Sequence, residues 1–266
     1  MPANFTFDFN QPKSLTLSSV IDSYLKNAPQ LSIVIPTFNE AHKVARDIAA
    51  ASDFLLHEHL IGEIIISDDG STDNTTATAK AAVVPSPNTL KVLSQDRNRG
   101  KGAAVRAGIA ASTGQYVMFA DSGVCIPFDQ AMRGLVLLRT NKAEIAHASR
   151  KRIDSVITSP QPLHRRILSR IFRSAVDAVL GLPYRLTDTQ CGFKLYKGDL
   201  ARTLYSQCQT EGFLFDLEII LRAKKANARI AEFPVTWSCD PDSRLRPAST
   251  AIRTIKELRS IKRSVV

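Results

Sequence analysis

Short apolar runs alternate with longer amphipathic stretches through the first half of the chain. Leu31-Ser-Ile-Val-Ile35 is apolar, β-branched and halted by Pro36, the pattern of a buried strand. Glu63-Ile-Ile-Ile-Ser67, Leu90–Ser94 and Tyr116–Ala120 repeat it. Between them, Glu40–His57 (with Asn39 placed as its cap), a Thr- and Ala-rich stretch reaching Ala82, and Lys101–Ser112 read as helices. Alternation of this kind with short loops predicts an α/β fold: a doubly wound, mostly parallel sheet. Ligands of such sheets bind outside the carboxyl ends of the strands. Polar clusters stand at all four ends: Thr37–Glu40, Asp68–Ser71, Asp96–Lys101 and Asp121–Gly123.

The second half is patterned differently. Ile145–Ser149 reads as a strand ending at Arg150, and Leu163–Leu180 carries an apolar stripe over four helical turns, with Arg165, Arg166, Arg170 and Arg173 on its other face. Thr187–Tyr196 reads as a loop and strand, Asp199–Gln207 and Phe213–Ala226 as helices, and Arg229–Trp237 as one strand. Ser249–Val266 spaces Ile252, Ile255, Leu258 and Ile261 three apart among basic residues. The organisation expected is an arm (1–29, with a short helix at Leu17–Lys26), one domain (30–240) and a basic amphipathic helix (241–266).

Charge sharpens this division. The 266 residues have a net charge of +10, yet residues 1–146 hold 13 Lys+Arg against 14 Asp+Glu. The excess lies in Arg150–Arg173 and Arg244–Arg263, each with seven basic residues and one acid. Such segments suit an anionic partner. Aromatics do not interleave them and no nucleic-acid motif is present, so nucleic acid is not the partner expected. The alternatives are a phosphorylated substrate and an anionic membrane surface, or stripes that pack on the core with their charges solvated. No run reaches the roughly 18 apolar residues of a membrane span, and the N-terminus lacks a signal-peptide layout. The expected location is cytoplasmic and peripheral to a membrane. Cys125, Cys191, Cys208 and Cys239 form no CxxC pair, which argues against a zinc site or disulfide framework.

Three segments carry candidate chemistry. Asp68-Asp69-Gly70-Ser71 ends a strand, where a carboxylate can accept hydrogen bonds from a base or sugar or simply cap a turn. Arg97-Asn-Arg-Gly-Lys-Gly102 opens a helix, a setting that favours a diphosphate through backbone N–H groups, basic side chains and glycines that allow close approach. Asp121 follows its strand, where a metal-binding carboxylate reaches a bound phosphate.

Taken together, Ile33-Val-Ile-Pro-Thr-Phe-Asn-Glu40, Ser67-Asp-Asp-Gly-Ser-Thr-Asp73, Asn98-Arg-Gly-Lys-Gly102 and Phe119-Ala-Asp121 resemble the large inverting nucleotide-sugar glycosyltransferase family with the Rossmann-like GT-A fold. Ser149-Arg150, Asp188-Thr-Gln-Cys-Gly-Phe-Lys194, Glu211-Gly-Phe, Phe215-Asp-Leu-Glu218, Pro234-Val-Thr-Trp237 and Ser243-Arg244 resemble its polyprenol-phosphate branch, the dolichyl-phosphate β-glucosyltransferases and then the mannose synthases.

The resemblance implies a UDP- or GDP-activated hexose transferred with inversion to a polyprenyl phosphate. It places Pro36, Glu40 and Asp69 at the base and ribose with Asp68 behind them, and Lys101 and Gly102 near the nucleotide. Arg150 and one of Arg165 and Arg166 fall near the diphosphate and lipid phosphate, and Asp188 and Gln190 at the sugar and acceptor end. Asp121 matches the first acid of the family's D-x-D motif, which binds Mg²⁺ or Mn²⁺; here the second acid is Gly123, which weakens the metal site. A phosphate acceptor needs no strong base, whereas a hydroxyl acceptor would need Asp188 or Asp216 as one. Two alternatives stay open: a soluble or polysaccharide acceptor, and a nucleotide-sugar-binding protein with impaired catalysis.

Overall fold

The computed structural model describes residues 28–159, 186–239 and 257–265. The expected helices at 17–26 and 163–180, Arg165 and Arg166, and the start of the C-terminal helix lie outside them.

The described elements are β1 (Leu31–Thr37), α1 (Val44–His57), β2 (Gly62–Asp68), α2 (Thr75–Ala81), β3 (Thr89–Ser94), α3 (Lys101–Ala110) and β4 (Tyr116–Ala120). A 3₁₀ turn (Phe128–Gln130) leads into α4 (Ala131–Arg139), then β5 (Ile145–Ser149), β6 (Val156–Ser159), β7 (Phe193–Lys197), α5 (Gly198–Ser206), α6 (Phe215–Lys225), β8 (Ile230–Pro234) and β9 (Thr236–Ser238). Residues 257–265 are helical and are called α7.

Seven strands form the main sheet in the order β3-β2-β1-β4-β7-β5-β8. All pairings are parallel except those of β7, which is antiparallel to both β4 and β5. The strand alternation divides the core in two. Leu31, Ile33, Ile35, Ile64, Ile66 and Met118 face α1 and α4. Val34, Ile65, Val117, Phe119 and Tyr196 face α3, α5 and α6 through Val105, Ile109, Leu204, Tyr205, Phe215 and Ile219. Burial on both faces explains why these strands read as continuous apolar runs.

Several expectations change. The helix after Asn39 starts at Val44, and its N-cap Lys43 makes no side-chain cap bond. Asn39 adopts a left-handed backbone (φ 54°) and its Oδ1 accepts the Thr72 N–H, so its side chain spans two loops rather than capping a helix. The expected single strand 229–237 is split: β8 continues the main sheet, whereas β9 pairs with β6 in a separate two-stranded ribbon. The helix α4 fills a stretch with no element assigned from sequence.

The apolar stripe of the C-terminal helix is also committed to the protein. Ile261 is buried against Leu214, Leu217 and Leu221, with Leu258 and Val265 packed on the same cluster. This face of α7 is therefore not open to lipid. No described helix is long and apolar enough to cross a membrane. All four cysteines are free.

Candidate active site

The strand order reverses between β1 and β4, so the crevice expected for a ligand opens beyond Thr37 and Ala120. Because β7 runs antiparallel, the segment that leads into it, 186–192, arrives at this same end. The opposite direction of one strand thus brings Asp188 and Gln190 to the side of the sheet where Glu40, Asp69 and Asp121 stand.

The β1 and β2 loops are laced together. The Asn39 N–H donates to Ser71 Oγ at 2.7 Å, the Glu40 N–H to Thr75 Oγ1 at 2.7 Å, and the Asp69 N–H to the Thr37 carbonyl at 2.9 Å. Pro36, paired across from Ser67, precedes this junction. The Glu40 carboxylate is partly buried, with Lys43 Nζ 3.4 Å away.

Asp68 is fully buried. Its carboxylate accepts from the Ser71 N–H (3.0 Å) and hydroxyl, from Thr76 Oγ1 (3.1 Å) and from Ser94 Oγ (3.2 Å). These bonds shape the turn. Asp69 accepts the N–H groups of Arg99 (2.9 Å) and Gly100 (2.8 Å), tying the loop before α3 to the end of β2.

The N-terminus of α3 differs from expectation. The Gly102 N–H donates to the Gly212 carbonyl at 3.2 Å, and the Ala103 N–H to Gly100 (2.9 Å) and Glu211 (3.1 Å). A side chain at 102 would collide with Thr210 and Gly212 backbone oxygens. These amides are spent on the 210–212 segment, so attraction for a diphosphate falls to side chains. Lys101 is the nearest at hand: its Nζ lies 2.6 Å from Asp121 Oδ1 and 5.4 Å from the centre of the Phe119 ring.

Asp121 is oriented from its backbone. Its N–H donates to the Gly192 carbonyl at 2.8 Å, and its carboxylate lies directly over the Gly192 Cα, where a Cβ would overlap both oxygens. Gly123 has φ 98°, a region unfavourable to aspartate, and its N–H donates to Asp47 Oδ2 at 2.7 Å. Burial pushes the Asp47 carboxyl above the usual carboxylate range, against this hydrogen bond and the Arg46 charge.

Arg150 meets Asp188 in a two-point pair, Nε to Oδ2 at 2.6 Å and Nη2 to Oδ1 at 2.9 Å, while its guanidinium lies 5.4 Å from the Trp237 ring centre. Burial opposes ionisation of Asp188, but the Arg150 bonds and charge, with Lys151, hold its carboxyl down to about 2. Burial also opposes the charge on Arg150, and Asp188 more than offsets it, so the guanidinium stays protonated. Gln190 is exposed on the same loop.

The pair gives a pH prediction. The folded-state pKa of Asp188 lies below its ordinary 3.8, so its stabilisation is complete above 3.8 and disappears as pH falls towards 2. A loss of about 2 kcal/mol is expected across that window. Denaturant titrations of wild type and Asp188→Asn at pH 5 and pH 2.5 check it: the gap between them should narrow at the lower pH, and a constant gap would contradict it.

Asp216 is not presented to a ligand. It is buried, with Oδ1 2.6 Å from Lys194 Nζ, which also donates to the Cys191 carbonyl at 2.8 Å. Burial pushes its carboxyl up, against the pull of Lys194. Sequence reasoning missed Lys194 as an anchor of the 188–192 loop; the available signal was a lysine at an inward position of an apolar strand, which requires a buried partner. It also missed Glu211, whose carboxylate accepts from Arg99 Nε at 3.1 Å and lies 3.6 Å from Arg106. His147 was missed as well. It is fully buried beside Tyr196, with neither ring nitrogen hydrogen-bonded and its pKa driven far down by burial and the Lys194 charge, so it is neutral.

Among the described residues, no three His, Cys, Asp or Glu side chains group as a metal site. Asp121 alone fits a divalent ion that takes its remaining ligands from a donor diphosphate and water.

Loops beyond the strand ends thus set a Lys–Asp pair and an Arg–Asp pair at the switch point of an α/β sheet, the place where such sheets bind ligands. The chain belongs to glycosyl transferase family 2, whose model matches residues 32–204. It is 32% identical over 238 residues to the dolichyl-phosphate beta-glucosyltransferase of Dictyostelium discoideum, covering 86% of this chain and 72% of the relative. The human enzyme of the same name is 31% identical, covering 91% and 77%. The fold is that of glucosyl-3-phosphoglycerate synthase from Mycobacterium tuberculosis, solved with Mn²⁺ and UDP-glucose: TM-score 0.63, 19% identity, covering 94% of this chain and 84% of that one. The protein is a glycosyltransferase with the GT-A fold.

Proposed function

We propose that the protein transfers a hexose from a UDP- or GDP-sugar to a polyprenyl phosphate, with inversion, at a membrane surface. The names of the relatives support the acceptor class. The observation that carries the reading is the state of the carboxylates. Asp188 has both oxygens on Arg150 and a pKa of about 2, and Asp216 is buried on Lys194. Neither suits the task of taking a proton from a hydroxyl acceptor. A phosphate monoester brings its own anionic oxygen, because its second pKa is about 6.

In this mechanism Glu40 and Asp69 border the nucleoside pocket past Pro36, with Asp68 bracing the loop. An acceptor phosphate oxygen forms the new bond at the anomeric carbon as the bond to the donor's diphosphate oxygen breaks. The electron pair leaves on the nucleoside diphosphate, and no proton transfer is needed. Lys101 is proposed to neutralise the leaving diphosphate and Arg150 to orient the acceptor phosphate, with Gln190 exposed on the loop that carries Asp188. Arg165 and Arg166 remain proposed for the acceptor phosphate from the family resemblance. A divalent ion bound at Asp121 would add charge neutralisation to the same diphosphate; Gly123 makes that binding weak.

The test measures nucleoside diphosphate release from UDP-glucose and GDP-mannose with polyprenyl phosphate or the corresponding polyprenol, with Mn²⁺ present. Release only with the phosphate is expected. Equal release with the alcohol, or none with any donor, would overturn the reading.

A further inference from the structure

Several of the described arginines pair with acids. Arg99 and Arg106 pair with Glu211, Arg150 with Asp188, Arg202 with Asp199, Arg222 with Glu218 and Arg229 with Glu144. Among the described arginines without an acidic partner are two on α7. Arg259 and Arg263 lie four residues apart, hence on one side of the helix a turn apart, and neither has an acidic partner among the described residues. They line a cleft of about 380 Å³ together with Ser260, Ser264 and Gln209.

The far wall of this cleft is firmly held. The Gln209 and Thr210 N–H groups donate to the Glu218 carboxylate at 2.9 and 2.8 Å, and Arg222 Nε donates to it at 2.8 Å. Glu218 is thus occupied by these donors and does not serve the α7 arginines. The near wall is held by Ile261, buried between α7 and α6. The described side chains that line the cleft are all polar or charged, which supplies donors for an anion. Two guanidinium groups with hydroxyls and an amide suit phosphate oxygens. None of these residues belongs to the donor or acceptor site described above.

We infer that this cleft binds the phosphate of an anionic phospholipid headgroup. It docks the enzyme on a membrane through polar contacts, while the apolar stripe of α7 stays packed on α6. The choice of a lipid rests on charge complementarity: Arg244–Arg263 carries seven basic residues and one acid, and Lys262 is exposed next to the pair. The inference deepens the membrane-surface part of the proposed function and depends on it for its biological sense, but the binding can be measured separately.

The test is co-sedimentation of the full chain with vesicles of phosphatidylcholine alone or mixed equally with phosphatidylglycerol. Wild type should bind only the mixed vesicles. Removing both charges with R259A/R263A should weaken binding about 30-fold, given roughly 1 kcal/mol per near-surface charge. The control K224A/K225A removes two exposed lysines at the end of α6 and should weaken binding far less. Equal loss in both variants would reduce the effect to net charge and overturn the site. A thermal shift by inorganic phosphate that R259A/R263A abolishes, without vesicle binding by wild type, would overturn the lipid as occupant. Nucleoside diphosphate release with a short, detergent-soluble polyprenyl phosphate separates the two readings. Its retention in R259A/R263A alongside lost vesicle binding supports the cleft. If wild type shows no release but the vesicle result holds, the transferase reading fails and the cleft stands.

Discussion

Arg150→Ala is expected to lower kcat with polyprenyl phosphate by about 100- to 1,000-fold, the scale on which loss of one preorganised charge-stabilising donor is felt. Donor affinity, read by thermal shift with the nucleotide sugar, should change little. The same substitution strands Asp188, which is only 2% exposed and accepts two guanidinium bonds. Removing one member of a buried pair costs about 3–5 kcal/mol, so the single variant will also melt earlier. R150A/D188A separates the two effects: it should recover much of the lost stability and none of the lost turnover. Recovery of turnover would show that Arg150 only neutralises Asp188. A raised donor KM with unchanged kcat would move Arg150 to the donor side.

Gly192→Ala should be nearly as damaging, for a steric reason. An added Cβ would overlap both Asp121 carboxylate oxygens, while the Asp121 N–H is anchored to the Gly192 carbonyl at 2.8 Å. The carboxylate must rotate away, disrupting its 2.6 Å contact with Lys101. Displacement of reacting groups by an ångström costs about 100-fold in rate. A matching fall in the affinity for Mn²⁺ in the presence of nucleoside diphosphate is expected, measured by calorimetry. Unchanged turnover would mean that Asp121 takes no part in the reaction.

The sheet was readable from sequence because β1, β2 and β4 are buried on both faces and run into polar residues at Thr37, Asp68 and Asp121, although β1 continues through Pro36, which reads as its stop in the sequence. The polar ends of those strands marked the site for the same reason. What escaped depends on partners distant in the chain. Asn39 has the chemistry of a cap, but its side-chain Oδ1 is taken by the N–H and hydroxyl of Thr72. Glycine and charge before α3 suggested an open anion site, yet its amides are taken by carbonyls more than a hundred residues later. Pro234 ends β8, and nothing local to 229–237 indicated that the next residues would join β6 instead. The basic stripe of α7 looked amphipathic in the membrane sense because a buried protein face and a lipid face have the same residue pattern.

The position of β7 also sets a constraint on synthesis. β3, β2, β1 and β4 are complete once residue 120 has emerged, but the free edge of β4 is Val117–Ala120, whose side chains are all buried in the finished protein. Its partner, Phe193–Lys197, comes much later in the chain. Until then the nascent protein carries an unpaired apolar strand edge, the kind of template on which chains associate wrongly. Truncation anywhere between the two strands would make that exposure permanent, so the first half of the sheet, for all its apparent completeness, is not a unit that can be cut free.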